Sequence, residues 1–179
     1  MKIEAPIEAQ KTIELIECGV DGVRETKVLT YDTSSIEYDR FMRLSIVAEH
    51  VNKLKLAKNT VVLDVGGFDG AFALFVPELK VWVIDPQTTN GNGLNIPFPD
   101  RQFEVVVSID ALEHLTRKDR SKLLQELVRV TRSKLFINFP EARSMDAQKA
   151  VLSVLDNKFI REHVDYQLPT QEETISFLK

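Results

Sequence analysis

The sequence predicts an α/β fold with helices on both faces of a mainly parallel, doubly wound sheet of about four to five strands. Short apolar runs rich in β-branched residues are typical of strands buried on both faces. Four such runs occur, at residues 61–65, 81–84, 103–109 and 135–139. Segments with apolar residues at helical spacing separate or follow them, and this alternation favours parallel strands joined by crossovers.

The composition indicates one globular domain of 179 residues, with 44% hydrophobic and 28% charged residues. The net charge of −4 disfavours a nucleic-acid surface. Cys18 is the only cysteine, which excludes an internal disulfide, and because no Cys/His cluster occurs we expect no metal. With no signal peptide and no apolar run near the ~18 residues of a spanning helix, we expect a cytoplasmic protein without membrane insertion.

The first residues have a weak helical pattern. Pro6 suits a first turn, Ile13 and Ile16 share a helical face, and Gly19 follows as a terminator. These features predict a helix over residues 1–18.

A second helix is predicted from a capping box at 34–37, Ser-x-x-Glu, to about residue 54. Its buried face would contain Leu44, Val47, Val51 and Leu54. Polar and aromatic side chains surround its start, namely Tyr31, Tyr38, Arg40 and Arg43. They are candidates to close over a ligand, and a solvated helix end is the simpler alternative.

The most informative stretch is VVLDVGGFDG, residues 61–70. A buried strand runs directly into a turn that contains Gly66, Gly67 and Gly70, which permits a sharp turn and close approach of a ligand to the backbone. A short helix over residues 71–76 would point its amide groups at the same turn. Strand, glycine turn and helix together indicate a site for a nucleotide-type cofactor.

Asp85 ends the second strand, 19 residues after Gly66. Carboxylates at this spacing accept hydrogen bonds from ribose hydroxyls, at the strand ends that face the ligand crevice. The seven residues PQTTNGN separate Asp85 from Gly93, too few for a crossover helix. The region after the second strand is therefore predicted to be shortened.

Beyond this region, a capped helix should begin after Thr116 and run to about residue 131, and residues 141–179 show only helical patterns, the last with a capping box at 170–173. We therefore predict a single domain with an N-terminal helical cap (1–57), a cofactor-binding core (58–140) and a helical C-terminal segment (141–179).

Several motifs, in order, resemble the class I S-adenosylmethionine-dependent methyltransferases, and their small-molecule branch in particular. VLDVGGFDG is similar to the first motif of that family, and VIDP to the second. GNGLNIPFPDRQFEVVVSIDALEHL is similar to the family's next block almost position by position. The resemblance covers about residues 61–140.

The resemblance implies a Rossmann-like fold that binds S-adenosylmethionine, releases S-adenosylhomocysteine and transfers the methyl group to an acceptor by in-line displacement. We expect that acceptor to be a small molecule. The implied cofactor-binding residues are Asp64, Gly66, Gly67, Phe68, Asp69, Gly70, Asp85, Pro86, Asn92, Gly93, Ser108, Ile109 and Asp110. His114 is the candidate base because histidines titrate near neutral pH, with a structural role as the alternative.

Three departures from the family pattern affect the interpretation. Phe68 replaces a glycine of the first motif, and residues 131–133 replace the usual turn before the fifth strand. The family's two further strands have no counterpart in the sequence. The chain is then a trimmed form, a naturally reduced variant, or a protein that completes its sheet through a partner, and in the last case an uncovered sheet edge would favour a homodimer.

Two other functions compete with methyl transfer. A non-catalytic member of the same fold would bind S-adenosylmethionine or a partner, and Phe68, Asn92 and the missing strands favour it. An NAD-dependent oxidoreductase would need G-x-G-x-x-G, and the glycine spacing here does not provide it.

Overall fold

The computed structural model describes residues 12–178 of the chain. Its centre is a six-stranded sheet with the strand order β1-β2-β4-β3-β5-β6. The strands are β1 (Ile13–Glu17), β2 (Arg24–Val28), β3 (Val61–Val65), β4 (Lys80–Ile84), β5 (Phe103–Ile109) and β6 (Thr131–Asn138). β3 to β6 are parallel, whereas β1 and β2 form an antiparallel hairpin. The predicted fold class is confirmed, and the hairpin raises the strand number above the expected four to five.

Helices cover both faces of this sheet. The α-helices are α1 (Tyr38–Asn52), α2 (Arg117–Val130), α3 (Met145–Val154), α4 (Lys158–Tyr166) and α5 (Gln171–Phe177), and 3₁₀ helices span Ala71–Phe75, Leu112–His114 and Ala142–Ser144. α1 and the 3₁₀ helix Ala71–Phe75 pack on one face with residues such as Val62 and Val107. α2 packs on the other face, where Leu127 meets Leu63. None of the described helices is long and apolar enough to cross a membrane.

The helix predicted over residues 1–18 is wrong where the structure describes it, because residues 13–17 form β1; residues 1–11 lie outside the described part. Ile13 and Leu15 both pack on the α1 side of the core. The apolar side chains of this segment therefore repeat every two residues, as in a strand, and not at helical spacing. The helical cap predicted for residues 1–57 is likewise wrong for the hairpin, and α1 is its only described α-helix.

The hairpin completes the sheet beside β4. Residues 86–102 contain no helix or strand, and β2 pairs with β4 at the edge that a strand in that region would otherwise cover. The turn of the hairpin also holds the loop that follows β4, since the Thr89 hydroxyl donates to the Gly22 carbonyl at 2.8 Å. Gly91 packs directly on Gly22.

We expect Gly91→Ala to destabilise the protein by about 1–3 kcal/mol, in the range for overpacking a tight site. A Cβ at Gly91 would lie 2.2 Å from the Gly22 carbonyl oxygen and 2.8 Å from Ile84. Urea unfolding would measure the loss. Gly19→Ala is the control: nothing lies within 4 Å of its Cβ, so only its φ of +82° adds strain. Equal unfolding midpoints for the wild type and Gly91→Ala would contradict this account of the loop.

The helix boundaries follow their caps with one exception. Thr116 and Thr170 cap α2 and α5 by accepting hydrogen bonds from Asp119 and Glu173, as predicted. The capping box at 34–37 is wrong: α1 begins at Tyr38 without a side-chain cap bond. The backbone of Ser34 instead donates to the Asp32 carboxylate in a local turn.

The end of the sheet differs from the expected turn and from the expected strand length. α2 passes directly into β6 at Thr131, so no turn occupies residues 131–133. After β6 the described residues form helices only, and in this part of the chain β6 pairs with β5 alone.

Candidate functional site

A cleft of about 1260 Å³ opens at the carboxyl ends of β3, β4 and β5. From β3 the sheet extends to β4 on one side and to β5 on the other. Open α/β sheets bind ligands at such a reversal of strand order. The glycine turn after β3, the loop after β4, the end of β5 and the start of α1 all contribute to the lining.

The glycine turn is shaped by close contacts. Gly66 has a φ of +85° and its amide donates to the Ile84 carbonyl at 2.8 Å. A Cβ on Gly67 would lie 2.4 Å from an oxygen of the Asp64 carboxylate. A side chain at Gly67 would therefore displace this carboxylate from the floor of the turn.

Phe68 adopts the left-handed conformation that glycine favours, with a φ of +49°. This conformation costs a non-glycine residue roughly 1–2 kcal/mol. The side chain lines the cleft and remains 43% exposed. The Thr88 hydroxyl donates to the Phe68 carbonyl, which ties the turn to the loop after β4. Phe68 thus keeps a backbone shape suited to glycine.

Asp64 is a buried carboxylate at the base of the cleft, and its Oδ1 has no hydrogen-bond partner among the described residues. Burial raises the pKa of Asp64 to about 7, and the Arg40 charge opposes that shift. Arg40 itself forms an ion pair with Asp69, with its two guanidinium nitrogens at 3.0 and 2.6 Å from the carboxylate oxygens. The cleft therefore holds an uncompensated acidic group.

Asp85 lies in the cleft at the end of β4 and is 5% exposed. Its Oδ1 accepts hydrogen bonds from the backbone amides of Gln87 and Thr88, at 2.8 and 3.0 Å. These bonds fix the side-chain orientation and do not involve Oδ2, which is the oxygen a ligand would use.

Three other predicted residues after β4, Pro86, Asn92 and Gly93, also line the cleft. The Asn92 Oδ1 accepts from the Leu94 amide at 2.9 Å, so the oxygen expected to face an adenine amino group already has a partner. Residues 87, 91 and 94 share this lining and were not predicted.

Two predicted residues, Gly70 and Ser108, do not line the cleft. A Cβ on Gly70 would lie 2.6 Å from the Thr26 methyl group, so this glycine accommodates the hairpin. The fully buried Ser108 hydroxyl donates to the Val65 carbonyl at 2.9 Å and joins β5 to β3. Both positions support the walls of the cleft.

Asp110 follows β5 with a φ of +56° and lines the cleft together with Ile109. Arg43 donates from Nε to Asp110 at 2.6 Å and from Nη1 to Asp39 at 2.9 Å. Burial raises the pKa of Asp110, and the Arg43 guanidinium opposes that rise. Arg40 and Arg43 thus attach the start of α1 to the site, the role that the sequence left open.

His114 lines the cleft at the end of a 3₁₀ turn. Its Nδ1 lies 2.8 Å from Glu162 Oε2, and its ring meets the edge of Phe159. Glu162 and Phe159 lie on α4 and also line the cleft. Sequence reasoning missed both, because no spacing rule connects residue 114 with a helix nearly fifty residues later.

Next to His114 are two further titratable side chains. Glu113 is 2% exposed, and burial, with added repulsion from Asp110, raises its pKa to about 8. Burial and the neighbouring His114 lower the pKa of His163 to about 4. The His114 and His163 rings are 4.9 Å apart. A second group of titratable side chains therefore lies beside the cleft, and His114 is the member of this group that lines it.

Comparison with known proteins supports one family. Residues 74–137 match the family model described as a methyltransferase domain. Over 43 residues the chain is 44% identical to ajmaline N-methyltransferase of Rauvolfia serpentina. This match covers 24% of the chain and 14% of that protein's length.

Solved structures share the fold. The plantazolicin methyltransferase BpumL, in complex with SAH, matches with a TM-score of 0.57 and 16% identity over 83% of this chain and 65% of that chain. A methyltransferase from an antibiotic biosynthesis pathway of Anabaena variabilis matches with a TM-score of 0.54 and 19% identity, over 76% of this chain and 62% of that one. The domain match over residues 74–137 and the shared fold agree with the class I S-adenosylmethionine-dependent methyltransferases, the family that the sequence motifs resemble.

Proposed function

We propose that this protein binds S-adenosylmethionine in the cleft and transfers its methyl group to a small-molecule acceptor. The observation that carries the proposal is the acid-lined cleft at the reversal of strand order, formed by the same glycine turn that resembles the family's first motif. The methyltransferase domain match and the SAH-bound structural relative support the choice of cofactor.

The residues of the cleft fit such a cofactor. Asp64 supplies a buried oxygen that has no hydrogen-bond partner among the described residues. Asp85 supplies an oriented carboxylate 19 residues after Gly66, the sequence spacing typical of ribose-binding carboxylates. S-adenosylmethionine bears a sulfonium and an ammonium group, and carboxylates stabilise cations in a low-dielectric site. Asp64 would therefore face the methionine part of the cofactor, and Asp85 its ribose.

The size of the cleft favours a second, small ligand beside the cofactor. Small-molecule sites usually measure roughly 300–1,000 Å³, and this cleft is larger at about 1260 Å³. Leu115, Phe159 and Ile36 add apolar surface to its lining. The ajmaline N-methyltransferase match also favours a small acceptor.

When bound, the cofactor supplies a methyl carbon activated by the sulfonium. The chain's own contribution would be alignment, which is worth roughly 7–11 kcal/mol in well-oriented reactions. The two arginines of α1 hold Asp69 and Asp110 in place and position the helix start over the cleft. His114, oriented by Glu162, is the candidate to accept a proton from the acceptor.

Calorimetric titration with S-adenosylhomocysteine tests the cofactor assignment. We expect the wild type to bind S-adenosylhomocysteine and Asp85→Ala to bind it at least 100-fold more weakly. The variant lacks the carboxylate that would accept hydrogen bonds from the two ribose hydroxyls. Asp21→Ala is the matched control, because Asp21 is exposed in the hairpin turn and is not among the lining residues. Its affinity should equal that of the wild type.

Three results would contradict the proposal in different ways. Folded protein that binds neither S-adenosylmethionine nor S-adenosylhomocysteine refutes the cofactor, and NAD binding instead would favour an oxidoreductase. Equal affinities for Asp85→Ala and the wild type refute the ribose role. Tight binding without methyl release on a panel of small amines, phenols and carboxylates would favour the non-catalytic alternative.

The cytoplasmic location and the homodimer stay predictions. The homodimer would form along β6, whose outer edge has no partner strand in the described part of the chain. Light scattering after size exclusion measures the mass directly, and a monomer at tens of micromolar would exclude this dimer.

A further inference from the structure

We propose that Glu113, His114 and His163 form a binding site for one divalent transition-metal cation, best suited to Zn²⁺, at the acceptor end of the cleft. A ligand atom from each of these residues lies within 4.8 Å of the others. Two imidazoles and one carboxylate are a ligand set that zinc and related cations use. The sequence predicted no metal, because residues 113 and 163 are too far apart for any short motif.

The free lone pairs are the first argument. Each histidine uses its Nδ1 for a protein contact: His114 with Glu162 at 2.8 Å, and His163 with Gln148 at 3.2 Å. Partners on Nδ1 orient metal-binding histidines and leave Nε2 for the cation. The Nε2 atom of His163 is buried and has no hydrogen-bond partner in the described part of the chain.

The carboxylate is the second argument, and it is independent of the histidines. Glu113 is 2% exposed, and its Oε2 has no hydrogen-bond partner among the described residues. Burial of such an oxygen is costly unless a cation or a donor compensates it. The charges of Arg43 and Arg120 act on Glu113, but both guanidinium groups bond elsewhere. Arg43 bonds Asp110 and Asp39, and Arg120 bonds backbone carbonyls.

The two elements that carry the ligands are held together. Arg120 donates from Nε to the Leu112 carbonyl, just before Glu113, and from Nη2 to the Tyr166 carbonyl at the end of α4. One side chain thus fixes the 3₁₀ turn with Glu113 and His114 against the helix with His163. The two elements that carry the ligands are therefore already adjacent, as a metal site needs.

Of the three ligands, His114 is the one that lines the cleft, together with its partner Glu162, so the cation would face the cleft on the His114 side. Three protein ligands leave at least one coordination position for water or for an oxygen or nitrogen atom of a ligand. That this atom belongs to the methyl acceptor rests on the proposed function. With a metal on Nε2, His114 would not act as a general base, because both roles need the same lone pair, so its proposed role as a base applies to the metal-free protein.

The test follows the NMR signals of the chain's three histidines, His50, His114 and His163, as Zn²⁺ is added. Full-length, untagged and metal-stripped protein is titrated with ZnCl₂ in the absence of cofactor, and the imidazole nitrogens are followed by NMR. We expect one equivalent of Zn²⁺ to shift the Nε2 resonances of His114 and His163. His50 should not respond, since it stacks on Phe136 away from the cluster. Mg²⁺, which prefers oxygen ligands, should leave the spectrum unchanged.

Calorimetry with ZnCl₂ adds the variants. Glu113→Gln keeps the side-chain shape, and we expect it and His163→Gln to bind Zn²⁺ at least 100-fold more weakly, whereas His50→Gln should bind like the wild type. Circular dichroism checks that each variant is folded. If a variant is unfolded, the NMR titration of the wild type alone tests the metal site. No shift of the two histidines at 100 μM Zn²⁺, or equal shifts of all three, overturns the proposal. A parallel titration with S-adenosylhomocysteine tests the proposed function separately. Binding of this ligand without binding of Zn²⁺ would refute the metal site and leave the cofactor assignment intact.

Discussion

Asp64→Asn should raise the free energy of unfolding by up to about 4 kcal/mol at pH 8 and change it little near pH 4, in the protein without cofactor. Asp64 is buried, and burial raises its pKa from 3.8 to about 7. Below pH 3.8 the carboxyl is protonated in both the folded and the unfolded state. Between pH 4 and 7 the unfolded chain ionises while the folded chain keeps its proton.

The stability that Asp64 contributes as a neutral group is therefore present at low pH and is lost as the pH rises through about 7. Asparagine cannot ionise, so the variant escapes this loss. Urea unfolding at several pH values would measure the difference, with exposed Asp21→Asn as the control. A constant difference between Asp64→Asn and the wild type from pH 4 to 8 would contradict the burial argument.

Arg129→Ala should destabilise the protein by about 3 kcal/mol, as expected when a buried carboxylate loses a cation that bonds both of its oxygens. Arg129 donates to both oxygens of Glu126 and to the carbonyls of Ile96 and Phe98. The Glu126 side chain is only 8% exposed and also accepts from the Ile96 amide at 2.8 Å. This network attaches the IPFPD segment, residues 96–100, to α2.

Unfolding in urea would measure that loss as well. Arg132→Ala is the matched control: its guanidinium is 55% exposed and pairs with Glu104 alone, so about 0.5 kcal/mol or less is expected. Arg129→Lys should recover part of the stability, because it restores the charge and lacks the planar fork. If Arg129→Ala and Arg132→Ala lowered the free energy of unfolding by the same small amount, the network around Glu126 would not stabilise the fold.

The strands of the core could be predicted because each carries its signal locally. The runs around Val62, Val83 and Val105 are apolar on both faces, which only a buried sheet accommodates. The glycine turn and Asp85 were predictable for a related reason: ligands approach parallel sheets at the carboxyl ends of the strands, so the order of motifs along the chain indicates their meeting point. The resemblance to a methyltransferase family rests on the same residues.

Tertiary contacts decided what local pattern left ambiguous. Residues 13–17 fit a helix or a strand over so short a length, and pairing with β2 and burial of Ile13 and Leu15 selected the strand. Ser108 has the polar character of a site residue, yet its direction along β5 turned it into the core.

The group formed by Glu113, His114 and His163 shows most clearly what could not be predicted from the sequence. These residues are separated by a strand and two helices, and only the docking of α4 on the 3₁₀ turn brings their ligand atoms within 4.8 Å. The sequence by itself determined the core strands, the glycine turn and the resemblance to a methyltransferase family, because those depend on neighbours in the chain. The completed sheet edge and the part of the cleft around His114 depend on contacts between distant segments, and only the tertiary structure decided them.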